Sequence, residues 1–354
     1  MSFPTSVSRP LVSVIIPAYN AESTIALTLD SVASSDYDNL ETLVVCDACT
    51  DRTAEIAGRY DARVINNENH SGAAYARNVG CAVAQGPIFF FVDADVILNP
   101  DAISLAVDAL TASDAEVLFG SYIAETRAAG FFSRFKNYQH HYVHQQGREF
   151  QTSFWSGCGA IRRDLFEELT GFDVSLMACE DIEFGYAITK SGRPVHLLKS
   201  MRGEHLKRYD LIRLIKSDLF HRAIPWTRMI RSGRAEMGKL NTGSVGVRST
   251  LLTALSHLSL PLAALSVHSV WLFVAAIMGI GLLNKDLLWF IAGKAGKGFA
   301  LRSLAALWLH YSICGYGYLL GHLCRKYPRQ RAPAPQYAWT EVEAASSAQM
   351  EASH

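Results

Sequence analysis

Three acidic motifs in this chain have residue types and spacing suited to chemistry. "DAD", residues 93–95, sets two carboxylates at i and i+2, on the same side of an extended chain. It follows directly on the apolar run "PIFFFV", 87–92. Asp93 and Asp95 could hold a divalent cation. Mg2+ and Mn2+ prefer oxygen ligands, accept one or two protein carboxylates and leave the remaining positions to phosphates and water. "ED", Glu180 and Asp181, opens the stretch "EDIEFGYAITK". Paired carboxylates beside an apolar helix can raise one pKa toward the range a general base needs. The bland alternative is an acidic pair favoured at a helix start by the helix dipole.

The third motif is "CDAC", 46–49. A redox C-x-x-C needs its first cysteine at a helix start with a depressed pKa. Here Cys46 ends an apolar run and Asp47 stands beside it, and a neighbouring carboxylate raises a thiol pKa. Structural zinc calls for a second ligand pair at short spacing. Cys81, Cys158 and Cys179 are single and scattered. The two cysteines therefore read as small residues framing Asp47, whose carboxylate would suit the N–H and O–H donors of a nucleotide base or ribose. His140, His141 and His144 lack an acidic partner at H-E-x-x-H spacing and read as a polar helix face. "GKAGKG", 293–298, lacks the glycine spacing and Ser/Thr of a P-loop.

The elements that would position these residues alternate. Residues 11–16 read as a buried strand ended by "PAYN", and 23–34 as a helix with Ser23 as N-cap. "LETLVV", 40–45, is a second strand, followed by a helix over 52–60 that Asp51 could cap. "ARVI" is a third strand, "AAYARNVGCAVAQ" a helix of small residues able to approach a sheet closely, and 87–92 a fourth strand. This order predicts an α/β fold with a mostly parallel sheet and right-handed crossovers. In such sheets ligands sit beyond the carboxyl ends of the strands, where Asp47, Asp93 and Asp95 fall. Residues 100–200 mix strands and helices less regularly, as an acceptor-binding half would.

In order along the chain, "VSVIIPAYNAESTI", "VVCDACTDRT", "NHSGAAYARNVGCAVAQGPIFFFVDADV", "GCGAIRRDLFEELTGFD" and "EDIEFGYAITKSG" together closely resemble the family 2 glycosyltransferases of the GT-A fold. The resemblance covers about residues 10–210. It implies a Rossmann-like GT-A catalytic domain that moves a sugar from a nucleotide-diphosphate donor, UDP- or GDP-linked, with inversion at the anomeric carbon. It also implies a role for each matched residue. Asp95 would bind Mg2+ or Mn2+, with Asp93 by the ribose and the metal. Pro17, Ala18 and Tyr19 would line the base, Asp47 would bond it and Glu22 would support that pocket. Arg77 would offset diphosphate charge, and His205 would lie near the diphosphate or metal. Asp181 would be the base and Glu180 its partner, with Trp155 and Gly157 on the acceptor loop. The family often has an acidic residue where Cys46 stands, and glycine where Ala48 and Arg52 stand.

The net charge is zero, so no global basic field argues for nucleic acid. Charge is unevenly placed, however. Residues 249–284 and 303–324 contain no Asp, Glu, Lys or Arg, and a membrane helix needs roughly 20 apolar residues. A buried core helix is the alternative. Arg222, Arg228, Arg231, Arg234, Lys239 and Arg248 precede the first run, and Arg325, Lys326, Arg329 and Arg331 follow the second. The positive-inside rule then predicts a multi-pass membrane protein with its catalytic domain, 1–210, in the cytoplasm.

Two to four membrane helices are expected over 249–325, with a basic interfacial segment over 211–248 and a disordered tail over 326–354. Gly317 and Gly321 form a small-xxx-small pair suited to close helix packing. The N-terminal apolar run is too short for a secretory signal, and a reducing compartment would leave all seven cysteines unpaired. The functional expectation is transfer of a single sugar to a lipid-linked or membrane-adjacent glycan acceptor. A processive polysaccharide synthase and an inactive nucleotide-sugar-binding scaffold are the alternatives.

Overall fold

The computed structural model describes residues 9–112, 115–236, 243–262, 266–328 and 331. The strands are β1 (Val12–Ala18), β2 (Leu40–Asp47), β3 (Arg63–Asn67), β4 (Ile88–Val92), β5 (Val96–Leu98), β6 (Val117–Tyr122), β7 (Phe150–Gln151), β8 (Cys158–Arg162) and β9 (Val195–His205). The helices begin with α1 (Ile25–Ala33), α2 (Thr53–Ala57), α3 (Ala73–Val83), α4 (Ala102–Ala112), α5 (Phe131–Gln146), α6 (Arg163–Glu168) and α7 (Glu180–Lys190). They continue with α8 (Leu211–Asp218), α9 (Ile224–Arg231), α10 (Ser244–Leu262), α11 (His268–Leu283), α12 (Lys285–Ala295) and α13 (Lys297–Leu323), with a π-helical turn over Leu219–Ala223.

The chain folds as two compact units. One takes the residues up to Ser121, Thr152–Leu206 and Arg331; the other takes Tyr122–Gln151 and Lys207–Gln330. The first unit is the α/β body. Its sheet runs β3-β2-β1-β4-β8-β6-β9-β5. β1, β2, β3 and β4 are parallel, as the apolar runs of β1, β2 and β4 predict for buried strands, while β3 at the sheet edge is only partly buried. The rest of the sheet departs from the expected mostly parallel pattern. β8 lies antiparallel to both β4 and β6, and β5 antiparallel to β9, so the sheet is mixed.

α3 meets the expectation of close approach. A Cβ on Gly80 would stand 2.6 Å from Ile15 Cγ2, so only glycine lets the helix lie this near β1. Beneath the sheet's carboxyl end, Phe89, Phe91, Phe154, Phe166, Phe172 and Phe184 are all fully buried in one aromatic cluster. Their edge-on and tilted contacts, such as Phe172 to Phe184 at 4.7 Å between centroids, give a stiff floor.

The second unit is helical. Its core joins Phe135 and Tyr138 of α5 to Ile280, Leu287, Ile291, Leu307 and Tyr311. The Gly317 and Gly321 pair packs as the spacing suggests. A Cβ on Gly317 would stand 2.3 Å from Ala223 Cβ, and one on Gly321 2.6 Å from Thr227 Cβ.

Other expectations for this region change. Among the described residues no single helix is long and apolar enough to cross a membrane; α11 and α12 meet that measure only as a pair bent by 73°. The expected two to four membrane helices are therefore not supported. The first charge-free run divides between α10, which holds Pro261 in its last turn, and α11; α13 carries Lys297 and Arg302 near its start. The basic stretch 221–234 is helical, but its arginines serve the unit itself. Arg231 donates to Gly321 O at 2.7 Å and Cys324 O at 3.0 Å, closing the end of α13, and Arg222 pairs with Asp218 at 3.1 Å. Lys239, Arg329 and the tail from residue 332 lie outside the described residues.

Candidate active site

Parallel β1, β2 and β4 direct the loops that follow them to one end of the sheet. The first two loops clasp each other. Asn20 Oδ1 accepts from Thr50 N at 2.9 Å, Asp51 Oδ2 from Glu22 N at 3.0 Å, and Glu22 Oε2 from Arg52 N at 3.3 Å. Glu22 thus supports the pocket by holding two loops together. Arg52 rather than Asp51 holds the N-cap position of α2, and Asp51, one residue before it, accepts from Thr53 N at 3.0 Å. Ala48 holds φ 56° where the family often has glycine, a left-handed conformation that a Cβ disfavours by roughly 1 kcal/mol.

Cys46 is buried, and burial first, then Cys49, pushes its thiol up to about 12; the redox reading of this pair has no support. Cys49 Sγ donates to Ala18 O at 3.4 Å, and among the described residues no cysteine is in a disulfide. Pro17 and Ala18 lie within β1, and Tyr19 stands just past its end with about half its surface exposed.

Asp47 ends β2 and is almost wholly buried. Its carboxylate accepts from Ser71 N at 2.9 Å, Gly72 N at 2.8 Å and Asn67 Nδ2 at 3.5 Å, so it fixes the loop that leads into α3. His70 Nδ1 also lies 2.8 Å from Asp47 Oδ2, and its ring meets that of Tyr19 at a tilt of 31°, with 4.2 Å between centroids. Sequence reasoning passed over His70; only its place in "NHSG", directly before the loop glycine, marked it.

The acidic motifs meet around Arg77. Projecting from α3, it is 3% exposed, and its guanidinium donates to Glu180 Oε1 and Asp93 Oδ1, each at 2.7 Å. The expected diphosphate partner is thus buried and committed to two carboxylates, with the ring of Phe172 below it at 5.5 Å. Its neighbour Asn78, also unmarked by the sequence, clasps the backbone of Phe172 in both directions at 2.8 and 2.9 Å.

Asp181 heads α7, next to Glu180. Burial first, then the Glu180 charge, outweighs the opposing pull of Arg77 and pushes its carboxyl up to about 7. Cys179, just before the pair, adopts a left-handed φ of 62° that turns the chain into the helix. Gly185 lets the acceptor-side loop lie on α7, since a Cβ there would stand 2.1 Å from Phe154 N. The ring of Trp155 lies across Gly157, whose Cβ would meet Trp155 Nε1 at 2.6 Å, and Gly157 O accepts from Asp93 N at 3.4 Å.

Asp95 and His205 meet because β5 pairs antiparallel with β9, with Val96 opposite His205. His205 Nε2 stands 3.5 Å from Asp95 Oδ2. Among the described residues no three His, Cys, Asp or Glu side chains gather into a metal cage. A donor pair of this kind suits a cation that takes few protein ligands and fills its shell with phosphate and water. His140, His141 and His144 are spent separately. His140 lies 3.2 Å from Arg222, His141 lies 2.6 Å from Tyr122 O, and burial, aided by His141, drives His144 down to about 4.

Residues 13–170 match the family profile described as Glycosyl transferase family 2. That stretch is similar to family 2 glycosyltransferase domains. The matched stretch includes Asp47, Arg77, Asp93, Asp95, Trp155 and Gly157; Glu180, Asp181 and His205 lie beyond it. Among curated relatives, glycosyltransferase GlyG of Streptococcus pneumoniae serotype 4 is 32% identical over 127 residues, 34% of this chain and 42% of that one. The Escherichia coli UDP-Glc:alpha-D-GlcNAc-diphosphoundecaprenol beta-1,3-glucosyltransferase WfgD is 34% identical over 115 residues, 32% of this chain and 46% of that one. The chain thus spans less than half the length of these relatives. The solved mannosyltransferase PcManGT from Pyrobaculum calidifontis, in complex with GDP-Man and Mn2+, shares the fold. Its TM-score is 0.54 at 20% identity, over 90% of this chain and 87% of that one.

Proposed function

We propose that this domain transfers a single sugar from a nucleoside-diphosphate sugar to an acceptor hydroxyl, with inversion and with Asp181 as general base. The observation that carries this reading is the chain of contacts Asp93–Arg77–Glu180, which seats Asp181 beside the "DAD" loop. A carboxyl poised near pH 7 takes a proton from a hydroxyl while remaining substantially ionised at the working pH. Glu180 and Arg77 are positioning residues: Glu180 raises the base's affinity for its proton, and Arg77 holds Glu180 and Asp93 in place. Tyr19 and Asp47 would receive the base, and Trp155 over Gly157 would face the acceptor. Asp95 and His205 would hold Mn2+ or Mg2+, which supplies charge neutralisation for the diphosphate leaving group.

This reading is tested by incubating the protein with a panel of UDP- and GDP-sugars in Mn2+, Mg2+ or EDTA. Release of one nucleoside diphosphate in metal, lost in EDTA and in Asp95→Asn, supports it. Equal release with and without metal would overturn the assignment of Asp95.

The acceptor side of the proposal rests on α10 and α11 of the helical unit, where polar side chains of α10 are buried and large apolar side chains face outward. In α10, Ser249, Thr253, Ser256 and Ser259 are buried, whereas Leu251 and Leu258 are 65% and 66% exposed. Trp271, Met278 and Leu282 of α11 face outward as well. Inside, Tyr311 donates to Asn284 Oδ1 at 2.7 Å and Trp308 Nε1 to Ser256 Oγ at 2.8 Å. Polar groups paired inside and leucines outside suit a hydrocarbon surrounding better than water. We therefore assign the unit to a membrane, with the catalytic domain on the cytoplasmic side and a lipid-linked or membrane-adjacent glycan as acceptor. Flotation of the full chain with lipid vesicles tests this; a protein that stays at the bottom of the gradient without detergent would contradict it.

A further inference from the structure

The groups proposed to receive the nucleotide base already have an occupant from the protein itself. His70, in the loop between β3 and α3, lays its imidazole on Tyr19 with 4.2 Å between ring centroids and 31° between planes. The same ring puts Nδ1 2.8 Å from Asp47 Oδ2. A ring set against Tyr19 and a ring nitrogen beside the Asp47 carboxylate are the two contacts that a nucleobase would make there.

Asp47 has little capacity to serve both. Its remaining sites accept from Ser71 N, Gly72 N and Asn67 Nδ2. Tyr19 likewise offers this face to one ring at a time. His70 is not locked in, since its side chain is 46% exposed and can swing toward water while the backbone of Ser71 and Gly72 stays pinned to Asp47.

We propose that His70 is a built-in mimic of the nucleobase that competes with the donor for Tyr19 and Asp47. This deepens the nucleotide-sugar reading and rests on it. The imidazole weakens donor binding by the factor in which it occupies the site, and a donor binds only when its base outcompetes the ring. The residue thereby sets a threshold for which bases are accepted. One close polar contact and one ring contact together correspond to roughly a tenfold effect on affinity.

Calorimetry on the full chain tests this with UDP, GDP and inorganic pyrophosphate, each in Mn2+, for the parent protein, His70→Ala, Tyr19→Ala and the double variant. The expected result is that His70→Ala binds UDP or GDP about tenfold more tightly and leaves pyrophosphate affinity unchanged. In the Tyr19→Ala background, the gain from His70→Ala should shrink, because the shared platform is gone. A merely structural His70 would move neither the base dependence nor the coupling to Tyr19. Equal or weaker nucleotide binding by His70→Ala, with an unchanged melting temperature, would overturn the inference while leaving the donor site standing. If His70→Ala melts lower, His70→Gln, which keeps a polar side chain without the ring, serves in its place with the same criteria. No nucleotide binding by any of the proteins would overturn the donor-site reading itself, and the inference with it.

Discussion

Arg77 and Glu180 stand 103 residues apart in the chain and share a buried ion pair 2.7 Å long. The same guanidinium reaches Asp93 at 2.7 Å, so one side chain ties the "DAD" loop to the "ED" pair. Removing it leaves Glu180 enclosed without a partner. Arg77→Met is expected to cost about 3 kcal/mol in a denaturant titration, because breaking a buried pair strands a charge. Adding Glu180→Gln to that variant should recover part of the loss, since the stranded charge is gone. Additive losses would mean the pair does not couple.

Transfer should depend on pH through Asp181. Burial and the Glu180 charge push its carboxyl up to about 7, and the proposed base works only when ionised, so the rate should climb as pH rises through 7 and level off above about 8. Glu180→Gln removes the neighbouring charge and should move the midpoint to lower pH. A pH–rate profile for both proteins checks the shift and its sign.

The same group links pH to stability. The folded chain binds this proton more tightly than the unfolded chain, whose carboxyl has a reference value of 3.8. The contribution is therefore fully present below about pH 4 and is lost as pH rises through 7. Asp181→Asn, which does not titrate, should melt above the parent at pH 8, and the gap should close near pH 4. Thermal melts at the two pH values test this.

Gly185→Ala would bring a Cβ within 2.1 Å of Phe154 N and 2.4 Å of Ser153 C, both backbone atoms that cannot turn aside. We expect a loss of roughly 3 kcal/mol or more and displacement of the Trp155 loop. Gly58→Ala, whose added Cβ would meet its nearest atom at an ordinary 3.4 Å, is the control. At Ala48, where φ is 56°, Ala48→Gly should instead stabilise the chain by about 0.5 kcal/mol, the relief of strain less the entropy of glycine.

The parallel half of the sheet was legible because β1, β2 and β4 are buried on both faces and read as unbroken apolar runs. That reading also placed Asp47 and the "DAD" loop correctly at strand ends. The antiparallel half was not legible. β5 is three residues long and pairs with a strand more than a hundred residues away, so the meeting of Asp95 and His205 depends on a register no local pattern records. Arg77 could be seen as a charge near the site but not as one already neutralised, since its partners come from two other segments. His70 was hidden for a related reason: its significance lies in the ring of Tyr19 across a loop. In the helical unit, counting charges found the apolar runs but not the inward face of Ser249, Thr253 and Ser256.

The central claim is that Asp181 is the base of a sugar transfer. The most direct test compares the parent protein with Asp181→Asn at pH 8, measuring nucleotide affinity by calorimetry and nucleotide release from the matching donor in Mn2+. The account predicts unchanged affinity with release reduced at least a hundredfold, the order expected for loss of a general base. Release at the parent rate by a folded, nucleotide-binding Asp181→Asn would contradict it.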